Sequence, residues 1–197
     1  MPFKLAFILA FVTAATVASL AARRATRRHG GSLNQLSHEV PGLLVVRAAL
    51  GLVFYAALAI WLFDLPVGAW SYLPLPISAR WFGVACLLPA LLFFVWSFTS
   101  LGTSYRGGVG LYEAHELVTT GPYRLIRHPI YLAFVAIMLL VLVLSANWLL
   151  GLSGFLLVVS IAAARIPIEE RQLAERFGSA WDAYRSHTGR IFPNLRR

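Results

Sequence analysis

Five long apolar runs divide this chain, and they limit the folds that it can adopt more than any other feature. Each run approaches the length of about 20 residues that a helix needs to cross the hydrocarbon core of a bilayer. The runs occupy residues 3–22, 42–63, 80–101, 129–146 and 148–166. Only 13% of the residues are charged, whereas a soluble domain carries about 25%. The sequence therefore predicts an all-α, polytopic integral membrane protein with about five transmembrane helices.

The last two runs are separated only by Asn147, with Ser145 nearby. So short a connection predicts a tight turn and an antiparallel helical hairpin, although each arm is short for a full span. No polar linker separates two apolar blocks, so we expect a single domain over residues 1–197. Residues 1–101 would supply three spans, and residues 102–197 a loop, the hairpin and a C-terminal helix.

The first run also has features of a secretory signal peptide, because Lys4 stands near its start, an apolar stretch follows, and small residues recur at 17–21. Cleavage after these residues would leave Arg23 and Arg24 on the trans side of the membrane. The excess of Lys and Arg normally lies in cytoplasmic loops instead. We therefore interpret the run as a retained span.

The basic residues indicate the orientation of the chain in the membrane. The net charge is +9, and 14 of the 17 Lys and Arg residues lie at 23–28, at 102–128 and from 165 onward. With five spans these regions share one side, which the positive-inside bias makes cytoplasmic. The N-terminus is then outside, and we expect the cytoplasmic membrane of a bacterium or archaeon. The basic residues form no stripe with interleaved aromatics, which disfavours a nucleic-acid partner.

Two polar clusters stand at the cytoplasmic ends of the predicted hairpin. Residues 115–131 combine Arg, His, Gly and Pro between apolar runs, and residues 165–171 follow the last run with two arginines and two glutamates. A segment that only crosses a membrane has little use for such residues, because charge near hydrocarbon is costly. Their shared side predicts one site built from both clusters.

His128 precedes Pro129 and should lie at the N-cap of the fourth span, since a residue before proline avoids helical geometry and proline suits the first turn. Helix N-termini favour anions, so the carboxylate or ribose oxygens of a ligand fit there. The alternative is simple capping, with Tyr123 and Tyr131 acting only as interfacial anchors.

Arg165 and Glu169 are four residues apart, so a helix would place them on one face. Pro167 lies between them and should kink the span where it leaves the membrane. The simpler interpretation of Arg165 is that it marks the topology and snorkels to the interface.

Simpler patterns predict the structure of the C-terminal region and of the loop between the second and third runs. Apolar residues recur at intervals of three or four residues at Leu173, Phe177, Trp181 and Tyr184. This spacing predicts a C-terminal amphipathic helix, either on the membrane surface or packed on the loop. Between the second and third runs, three prolines in residues 64–78 argue against regular structure.

The sequence lacks the motifs of several other classes of enzyme. The glycines at 102, 107, 108 and 110 do not have the GxGxxG spacing of a Rossmann site. They either form a flexible turn or let the backbone approach a ligand closely. There is no GxSxG or HExxH motif and no pair of histidines at metal-ligand spacing. With Cys86 as the single cysteine, we expect no metal site and no intrachain disulfide.

Several elements of the two clusters occur in a definite order: His115-Glu-Leu-Val118, Gly121-x-Tyr123, Arg127-His128-Pro129-x-Tyr131 and Arg165-x3-Glu169-Glu170-x2-Leu173-x3-Phe177-Gly178-x5-Tyr184. In this combination they resemble the isoprenylcysteine carboxyl methyltransferase family over residues 101–193. One departure is Gly108, which stands where eukaryotic members have a glutamine.

The resemblance implies a multi-span, all-helical membrane enzyme that uses S-adenosylmethionine. It also implies that Arg165 holds the methyl acceptor and that Glu169 binds the cofactor, which makes these two the candidate catalytic residues. The other residues that it places in the cofactor site are His115, Glu116, Leu117, Val118, Tyr123, His128, Pro129, Ile130 and Tyr131.

The implied chemistry suits these residues. A sulfonium carries its own electrophilic methyl group, so no metal is needed, and a carboxylate acceptor needs no general base. The enzyme then supplies in-line positioning and partial desolvation, with Arg165 orienting the anionic acceptor. An amine or thiol acceptor would have to lose a proton, for which Glu169, Glu170 or His128 is a candidate base.

We therefore expect methyl transfer from S-adenosylmethionine to a lipophilic acceptor reached from the bilayer, in first place the carboxylate of an isoprenylcysteine-like substrate. Phospholipid amines and small thiols are alternative acceptors. A membrane reductase that uses NADPH and a non-catalytic membrane protein are the alternative classes. Membrane lipids are expected partners in every case.

Overall fold

The computed structural model describes residues 1–29, 41–102 and 116–194, and within these ranges the regular elements are helical. Five long helices follow one another along the chain: α1 (Pro2–His29), α2 (Pro41–Leu62), α3 (Ile77–Leu101), α4 (Pro129–Ser145) and α5 (Trp148–Phe177). A short helix, α6, covers Ser179–His187, and 3₁₀ helices cover Pro66–Ser71 and Gly121–Arg124. This architecture confirms the predicted all-α fold class.

Four of the helices, α1, α2, α3 and α5, are long and apolar enough to cross a membrane. The helix α4 is also apolar but has 17 residues, or about 26 Å of helix against a hydrocarbon core of about 30 Å. The expected five spans thus correspond to four full-length helices and one shorter apolar helix. Their lengths and composition agree with an integral membrane protein.

The helix α5 is longer than the sequence predicts. The predicted span ends at residue 166, but α5 has 30 residues and remains helical through Pro167 as far as Phe177. A proline removes only one backbone donor, and the turns on either side keep their hydrogen bonds. The charged residues after position 164 therefore continue the same helix out of its apolar section.

The predicted C-terminal amphipathic helix is divided between two elements. Leu173 and Phe177 belong to the last turns of α5, whereas Trp181 and Tyr184 belong to α6. Gly178 separates the two helices with a φ of 48°, a conformation that glycine adopts without strain. The apolar spacing in the sequence does not reveal this break.

The helices pack in an order that differs from their order in the sequence. Contacts join α1 to α3, α3 to α4, α4 to α5 and α5 to α2. One buried cluster runs through the bundle, and aromatic side chains form much of it: Phe7, Phe54, Trp61, Phe94 and Phe98. The shortest of the five helices, α4, therefore lies between α3 and α5.

Two glycines let α5 approach its neighbours closely. A side chain at Gly151 would overlap Leu142 of α4. A Cβ atom at Gly154 would lie 2.7 Å from the Met138 sulfur of α4 and 2.9 Å from the Phe54 ring of α2. Because Leu142 lies at Gly151 and the earlier Met138 lies at the later Gly154, α4 and α5 run antiparallel.

Uncharged side chains close the end of the bundle where the chain turns from α4 into α5, which we call the turn end. Asn147 caps α5 by accepting a hydrogen bond from its first turn (2.9 Å), and its amide group donates to the Ser71 hydroxyl (2.7 Å). The Ser71 hydroxyl donates to the Gly68 carbonyl oxygen (2.7 Å). The prediction of irregular structure throughout residues 64–78 is wrong, because Pro66 begins a 3₁₀ helix that these bonds hold.

Charged groups attach α1 at the turn end. Lys4 forms an ion pair of 2.5 Å with Asp64, just beyond α2. Arg80 of α3 donates to the Leu144 carbonyl oxygen of α4 (2.9 Å), and its guanidinium lies 3.9 Å from the centre of the Phe3 ring. The first apolar run is thus packed into the helix bundle.

Candidate active site

The polar segment between the third and fourth predicted spans turns sharply beside the end of α3. Gly121 begins a 3₁₀ helix with a φ of 60°, and a Cβ atom there would overlap the Ser100 hydroxyl and lie 3.3 Å from the Trp96 ring nitrogen. Pro122 and Tyr123, the next two residues, are buried. This turn fixes the start of α4 relative to α3.

His128 occupies the N-cap position of α4, as the sequence predicts. Its side chain makes no capping hydrogen bond and instead faces two carboxylates of α5. The Nε2 atom lies 3.2 Å from Glu170 Oε1, and the Nδ1 atom lies 3.6 Å from Glu169 Oε2. The simple capping interpretation is therefore wrong for this side chain, which is buried where α4 meets α5.

Tyr131, in the first turn of α4, connects the two polar clusters. Its hydroxyl donates a hydrogen bond of 2.7 Å to Glu169 Oε1, and Arg165 donates a hydrogen bond to the same hydroxyl. Arg165 and Glu169 are neighbours on α5, since residues four apart in a helix lie side by side. The structure thus brings together the two clusters that lie at opposite ends of the apolar hairpin in the sequence.

Glu170 makes a different set of contacts from those of Glu169. Its carboxylate accepts a hydrogen bond from Arg127 Nε (3.0 Å) and forms an ion pair with Arg190 Nη2 (2.9 Å), in addition to the His128 contact. The Glu170 side chain is 18% exposed and the Glu169 side chain is 29% exposed. Basic groups surround Glu170, and these contacts tie α5 to the polar segment. Glu169 has the more accessible carboxylate.

The chain that follows α6 returns to the end of the bundle that holds these charged residues, which we call the site end. There it pairs with the segment before α4. The Arg127 amide donates to the Gly189 carbonyl oxygen (2.8 Å). The His128 amide donates to the Arg190 carbonyl oxygen (3.1 Å), and the Arg127 guanidinium donates to the Thr188 carbonyl oxygen. Sequence reasoning missed these roles of Arg127 and Arg190, and no periodicity near residue 190 could have indicated them.

The helix α6 covers the turn with its aromatic face. Trp181 is buried, and the Arg127 guanidinium lies 5.7 Å from the centre of its ring. The Tyr184 hydroxyl donates to the Tyr123 carbonyl oxygen (2.7 Å), and burial raises the pKa of Tyr184 to about 12, so this donor stays protonated at neutral pH. The helix therefore packs on the loop, which is one of the two placements that the sequence leaves open.

The remaining predicted cofactor residues lie before and after the turn. Three residues of irregular structure precede it: Glu116, Leu117 and Val118. The first is exposed and the other two are half-buried. Pro129 and Ile130 begin α4, and Pro129 is fully buried. His115 and the glycines at 107–110 lie outside the described residues.

A depression of about 560 Å³ opens beside the turn, between the 3₁₀ helix and α6. Arg124, Tyr184 and His187 contribute to its lining, and none of the predicted site residues does. The depression is therefore separate from the predicted cofactor site. Among the residues that the structure describes, no group of three or more His, Cys, Asp or Glu side chains could hold a metal ion.

The fold and the charged cluster define an integral membrane protein with a polar site where α4 and α5 leave their apolar sections. Residues 83–175 match the model of the isoprenylcysteine carboxyl methyltransferase (ICMT) family, a range that contains α4 and most of α3 and α5. This range is similar to the family, whose members are S-adenosylmethionine-dependent methyltransferases.

The fold is similar to that of a solved structure of the eukaryotic intramembrane Ras methyltransferase ICMT, with a TM-score of 0.62. The two chains are 18% identical, and the similarity covers 99% of this chain and 68% of that chain. At this identity the similarity concerns the fold, and it includes α1 and α2, which the family match does not reach. No curated protein matches the sequence.

Proposed function

We propose that this chain transfers a methyl group from S-adenosylmethionine to the carboxylate of an isoprenylcysteine-like acceptor. The observation that supports this most directly is the connected cluster of Arg165, Tyr131 and Glu169, at the point where α5 leaves its apolar section. A lipophilic acceptor can reach this point from the bilayer, and a water-soluble cofactor can reach it from the aqueous side. The match of residues 83–175 to the family supports the reaction class, and the cluster suggests the residues.

The residues at the ends of α4 and α5 suit a cofactor that carries an amino acid group and an additional positive charge. Glu169 offers an accessible carboxylate, which can accept hydrogen bonds from an ammonium group. The rings of His128 and Tyr131, with centres 6.0 Å apart, offer flat surfaces beside it. S-adenosylmethionine, when bound, supplies the electrophilic methyl group. We assign the other described positions to the same cofactor site: Glu116, Leu117, Val118, Tyr123, Pro129 and Ile130.

Arg165 precedes Glu169 by one helical turn and is therefore closer to the apolar section of α5. This position suits it to hold the acceptor carboxylate, because a guanidinium can donate to both carboxylate oxygens. A carboxylate is already a nucleophile, so the protein needs only to align it and to exclude water. Glu170 is engaged by Arg127 and Arg190, which makes it a poor general base for an amine acceptor.

The distribution of charge supports a cytoplasmic site. Since α1 begins at the turn end, it ends at the site end, where Arg23, Arg24 and Arg27 are exposed. The polar segment and the residues after 164 add the other basic groups on this side. By the positive-inside bias, the site end faces the cytoplasm and the turn end faces outward.

Two measurements on the purified protein in lipid nanodiscs test the proposal. The first is methyl transfer from labelled S-adenosylmethionine to N-acetyl-S-farnesylcysteine, and the second is calorimetric binding of S-adenosylhomocysteine. We expect Glu169→Ala and Tyr131→Ala each to weaken binding about 10-fold or more, because hydrogen bonds to charged groups contribute about 1.5–3 kcal/mol. Glu175→Ala is the matched control, since it removes the same charge from an exposed position on α5.

The possible outcomes separate the parts of the proposal. Unchanged affinity in both Glu169→Ala and Tyr131→Ala would contradict the cofactor site. Tight cofactor binding without methyl transfer would contradict the carboxylate acceptor. A rise in melting temperature with NADPH but not with S-adenosylmethionine would contradict the methyltransferase assignment and favour a reductase.

A further inference from the structure

Arg47 is a charged residue inside α2, within a stretch that otherwise faces lipid. The three residues before it are 42%, 69% and 50% exposed: Leu44, Val45 and Val46. Arg47 itself is only partly exposed, and its Nε and Nη2 atoms are buried. Arg47 is the fourth residue of the apolar span Leu44–Leu62. A charge within a span is costly, most of all at the centre, and such residues usually face the interior of a bundle and are candidates for functional positions.

The contact between Phe54 and Gly154 gives the register of α2 against α5. The Phe54 ring lies 2.9 Å from the position of a Cβ atom on Gly154, so the two helices meet there. Trp70, which follows α2, packs against Trp148 at the start of α5, with ring centres 5.4 Å apart. The end of α2 thus lies near the start of α5, and the two helices run antiparallel.

Arg47 and Arg165 lie on the two faces that meet at this contact. Arg47 is seven residues before Phe54, and with 3.6 residues per turn it is rotated by only about 20° from it around α2. Arg165 is eleven residues after Gly154 and is likewise rotated by about 20° around α5. Both arginines are therefore on the α2–α5 interface, and the Nε atom of Arg165 is also buried.

The two arginine side chains also reach similar positions along the helix axes. With a rise of about 1.5 Å per residue, Arg47 lies about 10 Å and Arg165 about 16 Å from the Phe54–Gly154 contact, both toward the site end. Side chains in a helix lean toward its N-terminus. Because α2 begins at the site end and α5 begins at the turn end, the two side chains lean toward each other. Their guanidinium groups therefore come close to the same height along the interface between the two helices.

We infer that Arg47 binds the acceptor carboxylate together with Arg165, from the opposite side of a groove between α2 and α5. The inference rests on the proposed function, since it takes the acceptor to be a carboxylate. A guanidinium donates two parallel hydrogen bonds to a carboxylate, and two of them can hold both oxygens in a fixed orientation. Phe54, Met138 and Gly154 fill the interface deeper in the bilayer and limit how far the polar head group enters. Arg47 therefore selects an anionic head group over a neutral or cationic one.

The test compares a charged ligand with a neutral ligand of the same shape. N-acetyl-S-farnesylcysteine is offered as the methyl acceptor, and its carboxamide analogue, which lacks the negative charge, is measured as a competitor. Arg47→Met removes the guanidinium and keeps the length of the side chain, and Arg47→Lys keeps the charge. Arg24→Met is the matched control, because it removes one positive charge from an exposed position on the same side.

In Arg47→Met we expect the KM for the carboxylate to rise about 10- to 100-fold, because hydrogen bonds to charged groups are lost. The inhibition constant of the carboxamide and the affinity for S-adenosylhomocysteine should stay within about twofold, since neither involves the acceptor's charge. Arg47→Lys should recover part of the loss, and Arg24→Met should behave like the wild type.

Three results would overturn the inference. A carboxylate KM within twofold of the wild type in Arg47→Met would show that Arg47 does not contact the carboxylate. A parallel rise for the carboxylate and the carboxamide would show that Arg47 only shapes the groove. If the wild type binds S-adenosylhomocysteine but does not methylate the carboxylate, the proposed function fails and this role of Arg47 fails with it. If Arg47→Met does not fold, Arg47→Lys decides by the same comparison of the two ligands.

Discussion

The turn end and the site end of the α4–α5 pair use buried polar residues in opposite ways. At the turn end, Asn147 and Ser71 are each 1% exposed, uncharged and hydrogen-bonded to each other. At the site end, Arg127, His128 and Glu170 are also largely buried, but they are ionisable. Uncharged groups can be buried at little cost once they are hydrogen-bonded, whereas buried charges remain costly even when they are paired. Lys4 and Arg80 are charged and also lie at the turn end, but each donates a hydrogen bond to a main-chain carbonyl oxygen of another helix and so joins the helices. We therefore assign the turn end to the stability of the fold, and we propose that the site end binds charged ligands.

Two adjacent residues of the site end, Glu169 and Glu170, differ in a similar way: one suits ligand binding and the other holds the structure together. Glu170 contacts Arg127, Arg190 and His128, so it holds α5, the polar segment and the C-terminal segment together. Glu169 contacts Tyr131 and the other ring nitrogen of His128, and it is more exposed. Two carboxylates that are equivalent in the sequence thus have different surroundings, and the Glu169 carboxylate is the more exposed of the two.

The largest effect is expected at the site end, from Arg165→Met. The variant keeps the length of the side chain but loses the guanidinium that we propose orients the acceptor. A misplacement of about 1 Å can reduce a rate about 100-fold. We expect kcat/KM for N-acetyl-S-farnesylcysteine to fall about 100-fold or more, with little change in the melting temperature in detergent. Arg171→Met is the matched control, because it removes the same charge from an exposed position further along α5. Wild-type activity in Arg165→Met would show that the acceptor is held elsewhere.

Features that depend on neighbouring residues or on the bilayer could be predicted from the sequence. The apolar runs gave the five long helices, because membrane thickness sets the length of a span. The start of α4 followed from His128 and Pro129, because the conformational limits that proline imposes are local. The position of both clusters on one side followed from the number of spans between them.

Features that depend on residues far apart in the chain could not be predicted. The 3₁₀ helix that begins at Pro66 is held through Ser71 by Asn147, which is 76 residues further along. Arg190 has no local pattern, and its role becomes visible only when the chain returns beside α4. The position of Arg47 opposite Arg165 likewise requires the register of α2 against α5, which apolar spans of similar composition do not encode.

A smaller effect, on stability alone, is expected at the turn end from Asn147→Ala. The variant removes the cap of α5 and the group that donates to Ser71, which should lower the free energy of unfolding by about 2–4 kcal/mol. Denaturant titration in detergent measures this loss, and kcat/KM of the folded protein should stay within about twofold. Because Asn147 and Ser71 share a hydrogen bond, the double variant with Ser71→Ala should lose less than the sum of the two single changes. A fall in activity at unchanged stability would break the proposed division between the ends.

The smallest effect is expected from Glu170→Gln, and it tests the division inside the site end. The glutamine keeps the shape and one acceptor oxygen but weakens the pairing with Arg127 and Arg190, so the free energy of unfolding should fall by about 1–3 kcal/mol. Affinity for S-adenosylhomocysteine should fall less than threefold. Glu169→Gln should show the reverse, with weaker binding and stability within about 0.5 kcal/mol of the wild type, since its carboxylate is more exposed. If both variants lost binding equally and kept full stability, the two glutamates would share one role, and the structural assignment of Glu170 would be wrong.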